Sequence, residues 1–295
     1  MLELLASQAS LLIGLCFALG LIVGSFLNVV VHRVPIMLDR EWRAHCAEIA
    51  GQAAPQQPPF NLMVPRSACP ACKAPITAMQ NTPVISWLAL RGKCAACAAK
   101  ISARYPLVEL LSGVMSALVA WKFGYGGPLL GALLLTWFLI ALAFIDIDTQ
   151  LLPDNLTLPL AWIGLALSLF ATAGSTAPLP VDPRSSIIGG LAGYLSLWGV
   201  YQLFKLVTGK EGMGYGDFKL LAALGTWLGW QMLLPIVLMS ALVGTAVGLL
   251  LMLRFGRERH VPMAFGPYLA AAGWIAMMVG QELVSGYLGL FRPGA

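Results

Sequence analysis

The chain has 295 residues, 59% of them hydrophobic and only 11% charged, with a mean hydropathy of +0.81 and a formal net charge of +5. A soluble domain carries about 25% charged residues, so the composition excludes a soluble globular protein and leaves a polytopic membrane protein. The pI near 9.0 is explained by where the basic residues fall along the chain, so no nucleic-acid surface need be invoked.

Met1-Leu2-Glu3-Leu4-Leu5 places no basic residue ahead of its apolar run, and the run is longer than the apolar core of a signal peptide. Residues 1–31 therefore read as an uncleaved first membrane helix. Its exit, Gly24-Ser25-Phe26-Leu27-Asn28 and on to His32-Arg33-Val34-Pro35, puts Ser25 and Asn28 inside the apolar run, three apart on one face. Polar residues so placed can hydrogen-bond to a neighbouring helix, while His32 and Arg33 read as interface anchors.

Residues 32–104 form the large extramembrane region. A short amphipathic helix is expected from Asp39, followed by a linker rich in Gln, Ala and Pro over Gly51 to Pro59. Cys69-Pro70-Ala71-Cys72 and Cys94-Ala95-Ala96-Cys97 are two C-x2-C pairs with 21 residues between them. Four thiolates spaced this way can surround one tetrahedral zinc, each pair on a tight turn. Disulfides compete with this reading only on an oxidising face. Cys16 and Cys46 lack metal spacing.

Residues 105–295 form a membrane domain of about seven further helices. Uncharged runs of about 20 residues mark spans at Tyr105 to Trp121, Phe123 to Ile145, Asn155 to Ala173, Ser185 to Phe204, Gln231 to Leu253 and Val261 to Gln281. The remaining span, Asp217 to Gly229, is short at roughly 20 Å of helix against a hydrocarbon core of about 30 Å. A short span thins the bilayer or draws its flanks inward. With eight spans alternating, 15 of the 18 Lys and Arg residues share one side. The positive-inside rule makes that side cytoplasmic and puts both termini outside.

Two cytoplasmic stretches carry carboxylates to the membrane boundary. Gly212-Met213-Gly214-Tyr215-Gly216-Asp217-Phe218-Lys219 delivers Asp217 to the start of the short span, with Gly214 and Gly216 allowing close backbone approach. An ionisable group at that depth points to function, although an Asp opening a helix also serves as a cap. The second stretch is Ile145-Asp146-Ile147-Asp148-Thr149-Gln150-Leu151-Leu152-Pro153-Asp154. Asp154 has the position of a helix cap, and Asp148 falls roughly 200° around a helix from Asp146. Asp146 ends the apolar run directly and is the best buried partner for Asp217. Two facing carboxylates can share one proton, one activating water while the other donates to the substrate.

These stretches, with the cysteine pairs, Arg104-Tyr105-Pro106-Leu107-Val108-Glu109 and Phe265-Gly266-Pro267-Tyr268-Leu269, resemble the bacterial type IV prepilin leader peptidases. The Gly214 to Asp217 pattern also looks like that of the presenilin class of intramembrane aspartic proteases. The resemblance implies an all-α inner-membrane enzyme with catalytic Asp146 and Asp217. Such an enzyme cuts the basic leader from prepilins and pseudopilins, then methylates the new N-terminus with S-adenosylmethionine. It also implies a contribution of the zinc region and Gly92 to methyl transfer, although no Rossmann-type glycine turn is present to hold that cofactor. Two alternative classes are a proton- or metal-coupled transporter, which internal inverted repeats would favour, and a non-catalytic secretion scaffold, which would survive loss of both aspartates.

Overall fold

The computed structural model describes residues 8–53, 57–77, 79–171, 179–255 and 263–290, and side chains for all of these but 255, 281 and 283–290. Met1 to Leu5, Ala54 to Gln56 of the expected linker, and Arg257, Arg259 and Arg292 lie outside the described residues. The α-helices are α1 (Ala9–Ile49), α2 (Ile85–Ala89), α3 (Arg104–Phe123), α4 (Gly127–Thr149), α5 (Asp154–Ser168), α6 (Pro183–Thr208), α7 (Tyr215–Leu228), α8 (Leu233–Phe255) and α9 (Gly266–Leu290), and the region between α1 and α3 is mostly turns and irregular chain. Among the described residues five helices, α1, α3, α4, α6 and α8, are long and apolar enough to cross a membrane, and α9 contributes a shorter apolar stretch. The count of eight expected from sequence differs because α5 and α7 have only 15 and 14 residues.

The chain separates into two compact units, Met1–Tyr125 and Gly126–Ala295. Neither expected boundary, after residue 31 or after 104, coincides with this division. In the first unit α1 runs unbroken for 41 residues through Pro35 to Ile49, so the amphipathic segment is its continuation. A proline removes one helical hydrogen bond, and the Asp39–Arg43 pair at 2.9 Å, one turn apart, supports the helix beyond it. Helix α3 belongs to this unit because it packs antiparallel along α1 on small residues. A methyl group on Gly24 would sit 2.7 Å from the Glu109 Cα, and one on Gly20 would sit 2.6 Å from the Ser112 carbonyl oxygen. Close backbone approach of this kind is how small residues pair membrane helices. Asn28 donates its side-chain amide to the Tyr105 carbonyl at 3.1 Å, as the sequence led us to expect.

Arg33 departs from the expected role of interface anchor. It is buried, donates to the carbonyls of Asn61 at 2.8 Å and Pro65 at 2.6 Å, and lies 5.5 Å from the centre of the Phe60 ring. Arg40 covers the same ring at 4.4 Å. The two guanidinium groups thus hold the segment around Phe60 against α1. Glu109, also buried, accepts the Val84 N–H at 2.7 Å. That bond holds a β-branched residue at φ 58°, a conformation such residues avoid.

In the second unit α7 is the central helix. Phe218, Leu220, Leu221, Ala223 and Leu224 are fully buried and Trp227 nearly so. Helix α6 approaches through Gly189 and Gly193; a methyl group on Gly193 would sit 2.7 Å from the Leu221 carbonyl oxygen, and Gly189 faces Gly225 backbone to backbone. Helix α5 is tied in by the Trp227 indole N–H, which donates to the Leu160 carbonyl at 2.7 Å. From α9, Gly273 meets the Leu224 side chain. Protein, not lipid, therefore surrounds the helix that is too short to span a bilayer.

Candidate active site

Asp146 closes α4, one turn before Gln150, whose left-handed conformation (φ 54°) ends the helix. Asp217 is the third residue of α7; Gly214 holds the cap position, so Asp217 does not cap the helix by sequence position. The chain thus directs both carboxylates inward, and they are 4% and 7% exposed. Their surroundings meet at Leu152, whose side chain lies against both Gly216, next to Asp217, and Gly266, whose N–H reaches Asp146. Around them the backbone approaches without intervening side chains. A methyl group on Gly216 would come within 2.6 Å of the Leu152 Cβ, and one on Gly266 within 2.6 Å of Asp146 Oδ2. The Gly266 N–H donates to that same oxygen at 2.9 Å. A ring of Tyr194, Tyr201, Tyr215 and Phe218, with centroids 5.4–6.0 Å apart, packs beside the start of α7.

The neighbouring carboxylates are placed differently. Asp148 is exposed. Asp154 does not cap α5: Pro153 takes the cap position, and both Asp154 oxygens accept from Lys219 Nζ, at 2.6 and 2.7 Å. This ion pair joins the first turn of α5 to the first turn of α7.

In the first unit the sulfur atoms of Cys69, Cys72, Cys94 and Cys97 all lie within 4.8 Å of one another, with Cys69 and Cys97 at 3.9 Å. A zinc ion with four sulfurs at about 2.3 Å in a tetrahedron requires sulfur–sulfur distances of about 3.8 Å, so the cluster fits that ion. The cysteines carry no disulfide. The two knuckles repeat each other with an offset of 25 residues. The Cys69 N–H donates to Ala74 and that of Cys94 to Ala99; the Ile76 N–H donates to Ser67 and that of Ile101 to Gly92; Lys73 and Ala98 share a positive φ. The backbone amides of Cys72 and Ala71 pull the Cys69 thiol down to about 6, whereas Cys97, despite the Ala99 amide, is pushed up to about 11 by the Cys72 sulfur, so the four sulfurs share their charge unevenly without a metal. Gly92, at φ 66°, receives the Ile101 bond and faces the Trp87 indole at a distance that would leave a methyl group 2.9 Å from the ring.

The sequence matches known family models over most of its length. Residues 18–123 match the model of the bacterial peptidase A24 N-terminal domain, and residues 133–249 that of the type IV leader peptidase family. The chain belongs to the type IV leader peptidase family. It is 53% identical over 290 residues to a prepilin leader peptidase/N-methyltransferase of Aeromonas hydrophila, covering 98% of each chain. It is 49% identical to a protein of the same name from Pseudomonas aeruginosa over 98% of this chain and 97% of that one. For the Neisseria gonorrhoeae protein the identity is 50% over 88% of each. No solved structure matches significantly.

For this leader peptidase, the sequence singled out two aspartates that are buried and four cysteines that cluster, but gave Leu152 and Gly266 no role of their own. Leu152 sits between Gly216 and Gly266. The available signal was Gly266-Pro267 itself, since a proline beside a glycine marks a helix start.

Proposed function

We propose that this chain is a prepilin leader peptidase and N-methyltransferase of the bacterial inner membrane, cleaving prepilins and pseudopilins with Asp146 and Asp217. The observation that carries the reading is the pair of buried carboxylates on α4 and α7, whose neighbours Gly266 and Gly216 pack on the same Leu152 side chain. As a dyad, they share one proton. The ionised carboxylate takes a proton from water as its oxygen attacks the scissile carbonyl, while the protonated one gives its proton to the carbonyl oxygen. In the second step the carbon–nitrogen bond breaks, the departing amine takes the proton that the dyad drew from water, and a hydroxyl of the tetrahedral diol returns its proton to the other carboxylate, leaving the dyad singly protonated. Gly214 leaves the Asp217 carboxylate uncovered on its side, and Gly216 lets Leu152 pack close beside it.

Cys69, Cys72, Cys94 and Cys97 would hold a zinc ion, which supplies a cross-link between the two knuckles. S-adenosylmethionine supplies the methyl group for the amine exposed by cleavage, and Gly92, beside the second knuckle, supports that activity by keeping the knuckle's backbone in place. The zinc region and the dyad face the cytoplasm, and both termini face the periplasm, in keeping with the charge distribution.

The test is incubation of the purified, lipid-reconstituted protein with a prepilin, with and without S-adenosylmethionine, followed by mass measurement. Loss of the leader in both samples and one methyl-sized increase in the second are expected. An intact prepilin in both would reject the peptidase, and cleavage without methylation would reject the second activity.

A further inference from the structure

The stretch Phe265-Gly266-Pro267-Tyr268-Leu269 has no part in the chemistry above, yet it opens α9 directly against the dyad. Every helix begins with N–H groups that lack an internal partner. In α9, Pro267 has no N–H, and the N–H groups of Tyr268 and Leu269 both donate to the Phe265 carbonyl, at 3.1 and 3.2 Å. The Gly266 N–H is therefore the first-turn donor left over, and it is aimed at Asp146 Oδ2 at 2.9 Å. The approach leaves no room for a side chain: a methyl group there would sit 2.6 Å from that oxygen and 3.1 Å from Leu152 Cδ1. On the other side of the pair, a methyl group on Gly214 would sit 3.9 Å from Asp217 Oδ2.

We infer that Gly266 is a positioning residue for cleavage: its N–H fixes Oδ2 of Asp146 as an acceptor and leaves Oδ1 for the attacking water and the shared proton. The inference rests on the dyad reading given under Proposed function. An oxygen already accepting a backbone N–H is a poor place for the mobile proton, so the proton is confined to the other oxygen of Asp146, Oδ1. The positive end of α9 favours the ionised state at the same point. Because this N–H serves no helical hydrogen bond, its removal costs α9 none of its internal bonding.

The test is an amide-to-ester exchange at Gly266, which removes the N–H and adds no bulk, with the same exchange at Tyr268, which removes one N–H from the Phe265 carbonyl, as a control for weakened bonding in the first turn of α9, alongside Gly266→Ala and Gly266→Ala with Leu152→Ala. Cleavage of a prepilin and methylation of a pre-cleaved pilin are measured on each preparation, because a loss of folded protein lowers both equally. The ester is expected to cut cleavage about 10- to 100-fold, the range for one hydrogen bond to a charged group, with methylation unchanged. Gly266→Ala is expected to be worse, and Leu152→Ala not to rescue it, since the added methyl group displaces the carboxylate. Wild-type cleavage by the ester, equal loss of both activities, or rescue through Leu152→Ala would each overturn the inference. Asp146→Asn and Asp217→Asn are run in the same assay: cleavage by either sinks the dyad reading itself, whereas two inactive Asn variants beside a fully active ester sink only the role of Gly266.

Discussion

Asp146 and Asp217 differ from the other acidic residues nearby in what surrounds them. Asp148 is exposed and Asp154 is paired with Lys219, while the dyad is enclosed by apolar side chains and bare backbone. Asp146→Asn and Asp217→Asn are each expected to abolish cleavage, because an amide can neither accept the proton of water nor share one with its partner. The double variant is expected to be scarcely worse than either single one, as for residues that act as a unit. Asp148→Asn is expected to retain most of the activity. Asp154→Asn is expected to cost no more than about 1 kcal/mol of stability, the scale of a partly exposed ion pair. Prepilin cleavage and thermal unfolding of the four single variants and the double variant check this set. Gly92 poses a different constraint, since its positive φ and the Trp87 ring each oppose a side chain. Gly92→Val is expected to lower methylation more than cleavage, and equal losses would remove the distinction.

At the scale of elements, catalysis depends on α7 staying close to its neighbours. The α6–α7 contact is made through glycines, so a side chain there wedges the helices apart. Gly193→Val is expected to destabilise the second unit by about 1–3 kcal/mol, the usual cost of overpacking, and to lower cleavage by moving Asp217. Gly199, six residues along the same helix, has no atom within 4 Å of the position a methyl group would take. Gly199→Val is therefore the control, expected to change neither melting temperature nor cleavage, and a comparable loss in both variants would refute the packing argument.

For the whole molecule, the two compact units carry different kinds of stabilisation. The second is held by helix packing around α7, whereas the region between α1 and α3 has few buried apolar residues and relies on Arg33, Glu109 and the four cysteines. A structural metal contributes folding free energy directly. Cys69→Ser is thus expected to release zinc and to open residues 57–103 to limited proteolysis, while the helices of the second unit remain protected. Elemental analysis and peptide mapping of the digest check this. A folded, reduced wild-type protein without zinc would refute the metal assignment.

Composition alone established a membrane protein, because 59% hydrophobic residues cannot be hidden in a soluble fold of this length. The spacing of the cysteine pairs likewise announced their cluster, since a C-x2-C turn brings two sulfurs together locally whatever the rest of the chain does. Asp146 and Asp217 were legible as charges at the ends of apolar runs, but their juxtaposition depends on helices distant in sequence. Only tertiary structure decided that α1 continues through Pro35, that Arg33 clamps a loop, and that Asp154 pairs with Lys219 instead of capping α5. The same holds for Gly266, which lies 120 residues from Asp146. Periodicity and spacing report local geometry, whereas a backbone amide's choice of a distant carboxylate is set by how the helices pack.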